Sequence, residues 1–320
     1  MPINQLQPEK RQSENVVSQN ESVASGKLWL AAVKPPIYSV AIIPIVAGTA
    51  VAFAQTGNFD FRVCLTFLGS AILIIAWLNL SNDVFDADTG IDVNKAHSVV
   101  NLLGNQSLVF WLSNLCLLLG FGGIAIISWW QRDWMVFNLV LLCCALGYSY
   151  QGPPFRLGYQ GLGEIICFVT FGPGAVSAAY YAQTQSFSVF CLAVSVVIGI
   201  STSIILFCSH FHQVKDDLAA GKRSPIVRLG TAKGAKVLTS LTISIYVITI
   251  LFVVTDYFPP ATLLIFASFP FALQLINHVL RYHDSPQKVS NSKFIAVNLY
   301  LASSALLTVS LIIQQAYPAF

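Results

Sequence analysis

The sequence predicts an all-α, polytopic membrane protein, a bundle of about nine transmembrane helices with a cytoplasmic N-terminus. Three observations lead to this fold class. The 320-residue chain has a mean hydropathy of +0.69. Only 10% of its residues are charged, against about 25% in soluble domains. Long apolar runs recur along it, and such continuous runs favour helices because the strands of a membrane barrel would alternate polar and apolar residues.

Nine segments are apolar and close to the roughly 20 residues that a helix needs to cross a bilayer. They are 35–55, 63–81, 107–129, 134–151, 161–182, 187–210, 235–255, 260–280 and 294–316. We expect residues 27–320 to form one transmembrane domain. Residues 1–26 are polar and predict a disordered tail, because they have too little apolar surface to offset the entropy of ordering.

The distribution of positive charge predicts how the bundle is oriented. Cytoplasmic loops of membrane proteins are enriched in Lys and Arg. With the N-terminus in the cytoplasm, only Arg62 and Arg132 of the 17 Lys and Arg residues face the other side. The loops after the second, fourth, sixth and eighth spans then face the cytoplasm.

Acidic residues concentrate in two of these cytoplasmic loops. Six of the 14 acids lie there: Asp83, Asp86, Asp88 and Asp92 after the second span, and Asp216 and Asp217 after the sixth. A polar loop is often only a solvated loop. Here, however, the acids adjoin the spans, where unpaired charge is costly. We therefore interpret the two loops as functional.

The spacing of the first cluster suits a divalent cation. If the second helix continues past residue 81, Asn82 and Asp86 share one face and Asp83 stands beside them. Thr89, followed by Gly90, predicts the helix end, and Asp92 returns from the loop. Oxygen ligands of this kind suit Mg²⁺, which uses one or two carboxylates completed by substrate phosphates.

The second cluster adds another set of ligands and a group of cations. Asp216 and Asp217 offer carboxylates, and basic side chains near both clusters can hold phosphate oxygens. These candidate diphosphate contacts are Lys95, Lys222, Arg223 and Arg228. Two acidic sites at one membrane face, with Lys and Arg among them, predict a diphosphate held by Mg²⁺.

Three segments resemble a known family, the UbiA-type intramembrane aromatic prenyltransferases. They are "NDVFDADTGID" (82–92), "YSYQGPPFRLGYQGLGE" (148–164) and "AAGKRSPIVRLG" (219–230). The resemblance covers nearly the whole chain after the tail and implies nine helices with aspartate-rich motifs after helices two and six. The segments are most similar to the branch that acts on 1,4-dihydroxy-2-naphthoate. That likeness implies phytyl diphosphate as donor and loss of the naphthoate carboxylate, in phylloquinone or menaquinone biosynthesis.

One position departs from the family pattern. The second motif of the family has two aspartates four residues apart, and here the first of them is Gln213 and the second Asp217. Gln213 keeps a carbonyl oxygen but brings no charge, and Asp216 would supply the missing carboxylate. The resemblance implies one Mg²⁺ site from the first motif and a second from these residues, with Asp83, Asp86 and Asp217 essential for catalysis.

Aromatic side chains suit the prenyl end of the reaction. An allyl cation is stabilised by an apolar pocket with π faces, and Tyr148, Tyr150 and Phe155 are candidates to line it. The alternative for each is an interfacial aromatic belt.

Four further polar residues lie at the predicted helix ends. Glu164 positions the acceptor or caps the fifth helix, where its charge suits the dipole. His210 and His212 orient the acceptor, transfer a proton or are merely solvated. Glu164 and His212, together with Gln213, are the polar candidates to line the acceptor or prenyl pocket. Lys34 either snorkels to the interface or reaches the site.

Three other functions compete with naphthoate prenylation. A relative could act on another aromatic acceptor such as homogentisate. A transporter would carry ionisable residues near mid-span, but the spans are almost free of charge. A membrane scaffold leaves the acidic loops unexplained. We expect an integral protein of the cell inner or thylakoid membrane, with its active site on the cytoplasmic face, prenyl diphosphate and naphthoate as substrates, and no nucleic acid partner.

Overall fold

The computed structural model describes residue 32, residues 34–89 and residues 98–316, and every regular element in these ranges is helical. The longest helices are α1 (Pro35–Thr56), α2 (Phe61–Thr89), α3 (Gln106–Gln131), α4 (Met135–Gln151), α5 (Gly163–Thr184), α6 (Val189–His210), α7 (Thr231–Val254), α8 (Pro260–Tyr282) and α9 (Ser292–Ala316). The predicted tail, Asp92 and Lys95 lie outside the described residues.

The predicted all-α membrane fold is confirmed. Within the described ranges, eight helical segments are long and apolar enough to cross a membrane. Helix α4 is also apolar but has 17 residues, a little under the roughly 20 of a full crossing. All of these helices lie where the apolar runs predict spans. The count of nine crossings and the cytoplasmic N-terminus stay predictions.

Helix α2 is longer than its apolar run. The run predicts a span over 63–81, whereas the helix continues to Thr89, the predicted helix end. The last two turns therefore extend beyond the apolar segment and carry Asp83 and Asp86 on a rigid element.

Local sequence explains where several helices begin and end. Helix α1 starts at Pro35, which suits a first turn because it needs no amide donor, and ends before Gly57 at φ 69°. Asp60 caps α2, since its Oδ1 accepts from two first-turn amides at 2.9 and 3.1 Å. Asn105 caps α3 in the same way, accepting from the Leu108 amide at 3.0 Å.

Small residues let the helices approach closely, as is common in membrane bundles. Gly123 on α3 lies against the Ser70 hydroxyl of α2. Gly48 on α1 meets the Val176 carbonyl of α5. A Cβ at either glycine would collide with its neighbour, so these contacts fix the helix positions.

The outer surface of the bundle is apolar. Large side chains such as Leu118, Trp129 and Val254 are 69%, 76% and 74% exposed. An apolar surface of this extent would be unstable in water and suits contact with lipid.

The two ends of the bundle differ in their chemistry. At one end, the C-terminal ends of α2, α4 and α6 meet the start of α5. The two acidic clusters, called here the first acidic segment (around Asp83) and the second acidic segment (around Asp217), both lie at this end. At the opposite end, Asp60 and Gln183 exchange backbone and side-chain hydrogen bonds at 2.9 and 3.1 Å. The fold thus brings the two acidic segments to the same side, as the sequence predicts.

Candidate active site

Asp83 is the buried centre of the first acidic segment. Its side chain has no exposed surface. Its Oδ1 lies 3.0 Å from the Lys34 Nζ, and its Oδ2 accepts from the Val99 amide at 2.9 Å. Lys34 also donates to the Asn79 Oδ1 at 2.8 Å. Of the two possibilities for Lys34, the structure shows the one in which it reaches the acidic segment.

The other members of the first segment lie closer to the surface. Asn82 and Asp86 are half-buried on α2, one turn apart. Asp88 is exposed and accepts from the Gln106 Nε2 at 2.7 Å. Asp83 and Asp86 are therefore presented by a continuous helix rather than by a mobile loop.

The two acids of the second segment have different environments. A short helix, Val214–Ala219, carries both. Asp216 is exposed, whereas Asp217 is 1% exposed. The Asp217 Oδ1 lies 3.5 Å from the Lys222 Nζ, and its Oδ2 lies 3.2 Å from the His210 Nδ1. The Gln213 carbonyl accepts from the Asp217 amide at 2.8 Å, which holds the first turn in place.

Electrostatics favours charged forms for Asp217 and Lys222. Burial raises the pKa of Asp217, but the hydrogen bond from His210 and the positive charge of Lys222 outweigh it, so the pKa falls below its usual range. Burial likewise opposes the charge of Lys222. The nearby Tyr150, Asp217 and Asp86 outweigh burial and raise the pKa of Lys222. Lys222 thus stays protonated within reach of both acidic segments.

His210 is a buried link between Asp217 and Glu164. The imidazole is 2% exposed, and its Nε2 lies 3.3 Å from the Glu164 Oε1. Glu164 lies in the first turn of α5, and the Ser203 hydroxyl donates to its backbone carbonyl at 2.9 Å. The structure is compatible with both predicted positions for Glu164, the helix start and the edge of the site.

His212 has a different environment from His210. It is half-buried in the turn after α6. Burial, with the charges of Lys293 and His210, lowers the pKa of His212 to about 4. It is therefore a neutral imidazole near pH 7, and His210 is the histidine that touches the acidic cluster.

Tyr159 contacts residues next to both acidic segments. Its hydroxyl lies 2.9 Å from the Thr89 Oγ1 at the end of α2. Its carbonyl accepts from the Arg223 amide at 2.7 Å, and the Lys222 Nζ lies 5.9 Å from the centre of its ring. The loop between α4 and α5 thus bridges two motifs that are far apart in sequence.

The predicted phosphate contacts are held in different ways. The Arg228 guanidinium donates to the backbone carbonyls of Arg223 and Gln160, so it supports the loops. Arg223 and Arg228 are exposed, whereas Lys222 is buried. Among these three cations, Lys222 is the one enclosed between the acids.

The three predicted aromatic residues differ in exposure. Tyr148 donates its hydroxyl to the Pro153 carbonyl at 2.8 Å and meets the Phe85 ring edge-on. Phe155 is 55% exposed. The Tyr150 ring packs against Gly163, where a Cβ would lie 2.7 Å from a ring carbon. Glycine there leaves space for the ring beside Glu164.

The carboxylates of the two acidic segments are the candidate ligands for the predicted Mg²⁺. Within the described ranges, no group of three or more His, Cys, Asp and Glu side chains converges as a complete metal site. Mg²⁺ does not require one, because it keeps waters and binds through one or two carboxylates plus substrate phosphates. Asp83 and Asp86 in one segment and Asp217 in the other supply the number of carboxylates that this smaller requirement calls for.

Sequence reasoning missed several residues of this arrangement. Asn79 lies inside an apolar run, one turn before Asp83, and helical spacing could have placed it on the same face. Tyr159 carries no such signal, because its role depends on contacts from distant segments.

A helical membrane bundle that gathers buried acids and a buried cation at one end suits an enzyme acting on a lipid with a charged head. The chain belongs to the UbiA prenyltransferase family, whose model matches residues 41–303. The resemblance identified in the sequence is thereby confirmed.

Three relatives show which activities are found among similar members of the family. The chain is 62% identical over 284 residues to 2-carboxy-1,4-naphthoquinone phytyltransferase of Synechocystis sp., covering 89% of this chain and 92% of the relative. It is 42% identical over 307 residues to the chloroplastic phytyltransferase of the same name from Arabidopsis thaliana, covering 93% and 80%. The 1,4-dihydroxy-2-naphthoate octaprenyltransferase of Escherichia coli is 27% identical over 224 residues, covering 66% and 71%.

Solved structures share the fold at low sequence identity. A UbiA homolog from Archaeoglobus fulgidus bound to GPP and Mg²⁺ has a TM-score of 0.58 at 14% identity, covering 88% of this chain and 99% of that one. Digeranylgeranylglyceryl phosphate synthase has a TM-score of 0.60 at 15% identity, covering 91% and 99%. These similarities support the arrangement of the helices.

Proposed function

We propose that this prenyltransferase moves a phytyl group from its diphosphate to 1,4-dihydroxy-2-naphthoate, with loss of the naphthoate carboxylate, in phylloquinone or menaquinone biosynthesis. The observation that carries the proposal is the buried Lys222, whose Nζ lies 3.5 Å from the Asp217 Oδ1, at the end of the bundle where Asp83 and Asp86 also lie. A substrate with a charged diphosphate head and an apolar tail suits such a site at the end of a membrane bundle. The 62% identity to a phytyltransferase supports the choice of substrates.

The proposed reaction balances without a further reactant. The bond between the first prenyl carbon and the diphosphate oxygen breaks, and the diphosphate leaves with the electron pair. The dihydroxy ring is electron-rich and forms the new carbon–carbon bond. Departure of its carboxylate as CO₂ returns an electron pair to the ring.

The acidic residues would hold Mg²⁺ in two groups. Asn82, Asp83, Asp86 and Asp92 would form the first. Asp216 and Asp217, with the side-chain carbonyl oxygen of Gln213, would form the second. Bound Mg²⁺ would draw negative charge onto the departing diphosphate. The burial of Asp83 and Asp217 supports this assignment, because buried charges that are fixed in advance stabilise a transition state without reorganisation.

The cations would act on the diphosphate itself. Lys222 is best placed to stabilise its developing charge, since it is buried and protonated. Lys95, Arg223 and Arg228 would add further contacts to the diphosphate. The hydrogen bonds from Arg228 to the Arg223 and Gln160 carbonyls hold the two loops together.

The remaining residues would serve the organic parts of the substrates. Tyr148, Tyr150 and Phe155 would offer π faces to the allyl cation. Glu164 and His212 would lie beside the acceptor. The phytyl tail would lie between helices or in lipid, in the cell inner or thylakoid membrane, with the charged head at the cytoplasmic face.

The experiment that tests this function is direct product formation. The purified protein in detergent receives 1,4-dihydroxy-2-naphthoate and either phytyl or geranylgeranyl diphosphate, with Mg²⁺ or with EDTA. We expect a product with the mass of a decarboxylated prenyl naphthoquinol, or of the naphthoquinone that air oxidation forms from it, produced with Mg²⁺ and faster with phytyl diphosphate. Product only with homogentisate would contradict the acceptor, and no product with any aromatic acceptor would contradict the reaction.

A further inference from the structure

His210 lies between two carboxylates that the proposed function assigns to different substrates. Its Nδ1 lies 3.2 Å from the Asp217 Oδ2, and its Nε2 lies 3.3 Å from the Glu164 Oε1. The ring is 2% exposed and sits in the last turn of α6. A buried ring with each nitrogen against a different carboxylate fixes the orientation of both.

The other contacts of these carboxylates show what His210 adds. The second oxygen of Asp217 faces Lys222 at 3.5 Å, so the carboxylate is held from two sides. Within the described residues, both Glu164 carboxylate oxygens are buried without a hydrogen bond, and Oε1 has only the ion-pair contact with the His210 Nε2 at 3.3 Å. A buried carboxylate oxygen without a donor is costly, and the phenolic hydroxyl of a dihydroxynaphthoate is a donor that would satisfy it.

We infer that His210 is a positioning residue with two separate tasks: through Nδ1 it orients Asp217 toward the metal and diphosphate, and through Nε2 it orients Glu164 toward the acceptor hydroxyl. This inference rests on the proposed function. His210 touches neither substrate in this arrangement and acts through the two carboxylates.

Two conservative substitutions separate the tasks. The amide nitrogen of Asn can occupy the place of the histidine Nδ1, and that of Gln can occupy the place of Nε2. His210→Asn should therefore keep the contact with Asp217 and lose the contact with Glu164. His210→Gln should keep the contact with Glu164 and lose the contact with Asp217.

The readouts are the KM for naphthoate and the Mg²⁺ requirement. The latter is measured both as the concentration for half-maximal rate and as the concentration for half-maximal thermal stabilisation of the protein without substrates. We expect His210→Asn to raise the KM for naphthoate about tenfold and His210→Gln to raise the Mg²⁺ requirement about tenfold, as for the loss of one polar contact with a charged group. Each variant should leave the other quantity within about threefold of wild type. His278→Asn, on α8 and away from the site, is the control and should change neither.

The outcomes distinguish this inference from the function on which it rests. Wild-type protein without activity would contradict the proposed function itself. An active wild type whose two His210 variants change both quantities equally, or neither, would overturn the separate tasks.

Glu164→Gln gives a second test if the His210 variants fold poorly, which thermal unfolding would reveal. It should raise the KM for naphthoate and leave the Mg²⁺ requirement unchanged. An unchanged KM for naphthoate would overturn the inference.

Discussion

Asp217→Asn gives a quantitative test of the buried ion pair in the second acidic segment. The Lys222 side chain is 10% exposed, and its Nζ lies 3.5 Å from the Asp217 Oδ1. At an effective dielectric constant of about 20, unit charges at this distance attract by roughly 5 kcal/mol before desolvation. Removing one partner of a buried pair usually costs about 3–5 kcal/mol. We expect about 3 kcal/mol, the lower end of this range, because the charge of Asp86 still stabilises protonated Lys222.

The adjacent Asp216 supplies a matched control. It is exposed, so Asp216→Asn should change the free energy of unfolding by no more than about 0.5 kcal/mol. Unfolding is followed in mixed micelles with increasing SDS, in EDTA so that metal binding does not contribute. Equal unfolding free energies for the two variants would refute the reasoning that the Lys222 pair stabilises the fold.

Two further predictions test other contacts. Lys34→Ala should lower kcat/KM for the prenyl diphosphate about tenfold, because Asp83 loses its ion pair. Lys34→Arg keeps the charge and should retain most of the rate. Equal initial rates for the two variants would contradict this role of Lys34. Gly163→Ala should destabilise the protein by about 1–3 kcal/mol, since the new Cβ would lie 2.7 Å from the Tyr150 ring. Gly122 on α3 has open space around it, so Gly122→Ala should change the free energy of unfolding by no more than about 1 kcal/mol. Similar melting temperatures for the two glycine variants would contradict the packing argument.

The helices could be predicted because their cause lies in local composition. Apolar runs of bilayer length locate every long helix of the described chain to within a few residues, except at the end of α2. There the hydropathy marks where lipid ends, whereas hydrogen bonding continues the helix to Thr89. The capping and turn residues in the sequence predict such ends better than hydropathy does.

The site could be predicted only in part, for a physical reason. Acids are scarce in this chain, so Asp83 and Asp217 stand out in the sequence. Which cation pairs with each acid depends on helix packing, and Lys34 and Asp83 are 49 positions apart. The sequence likewise predicts His212 as the pocket histidine, whereas the imidazole that contacts Asp217 and Glu164 is that of His210. This contact depends on how the end of α6 meets the start of α5.

The central claim is that the two acidic segments act together on one metal-bound diphosphate. The most direct test is the Mg²⁺ dependence of product formation by wild type, Asp83→Asn, Asp217→Asn and the control Asp88→Asn, whose carboxylate is exposed and bonded to Gln106. We predict that wild type and Asp88→Asn form prenyl naphthoquinol only with Mg²⁺, and that the other two lose at least about a hundredfold in rate at any Mg²⁺ concentration. Full activity in EDTA, or full activity of either buried-aspartate variant, would contradict the account.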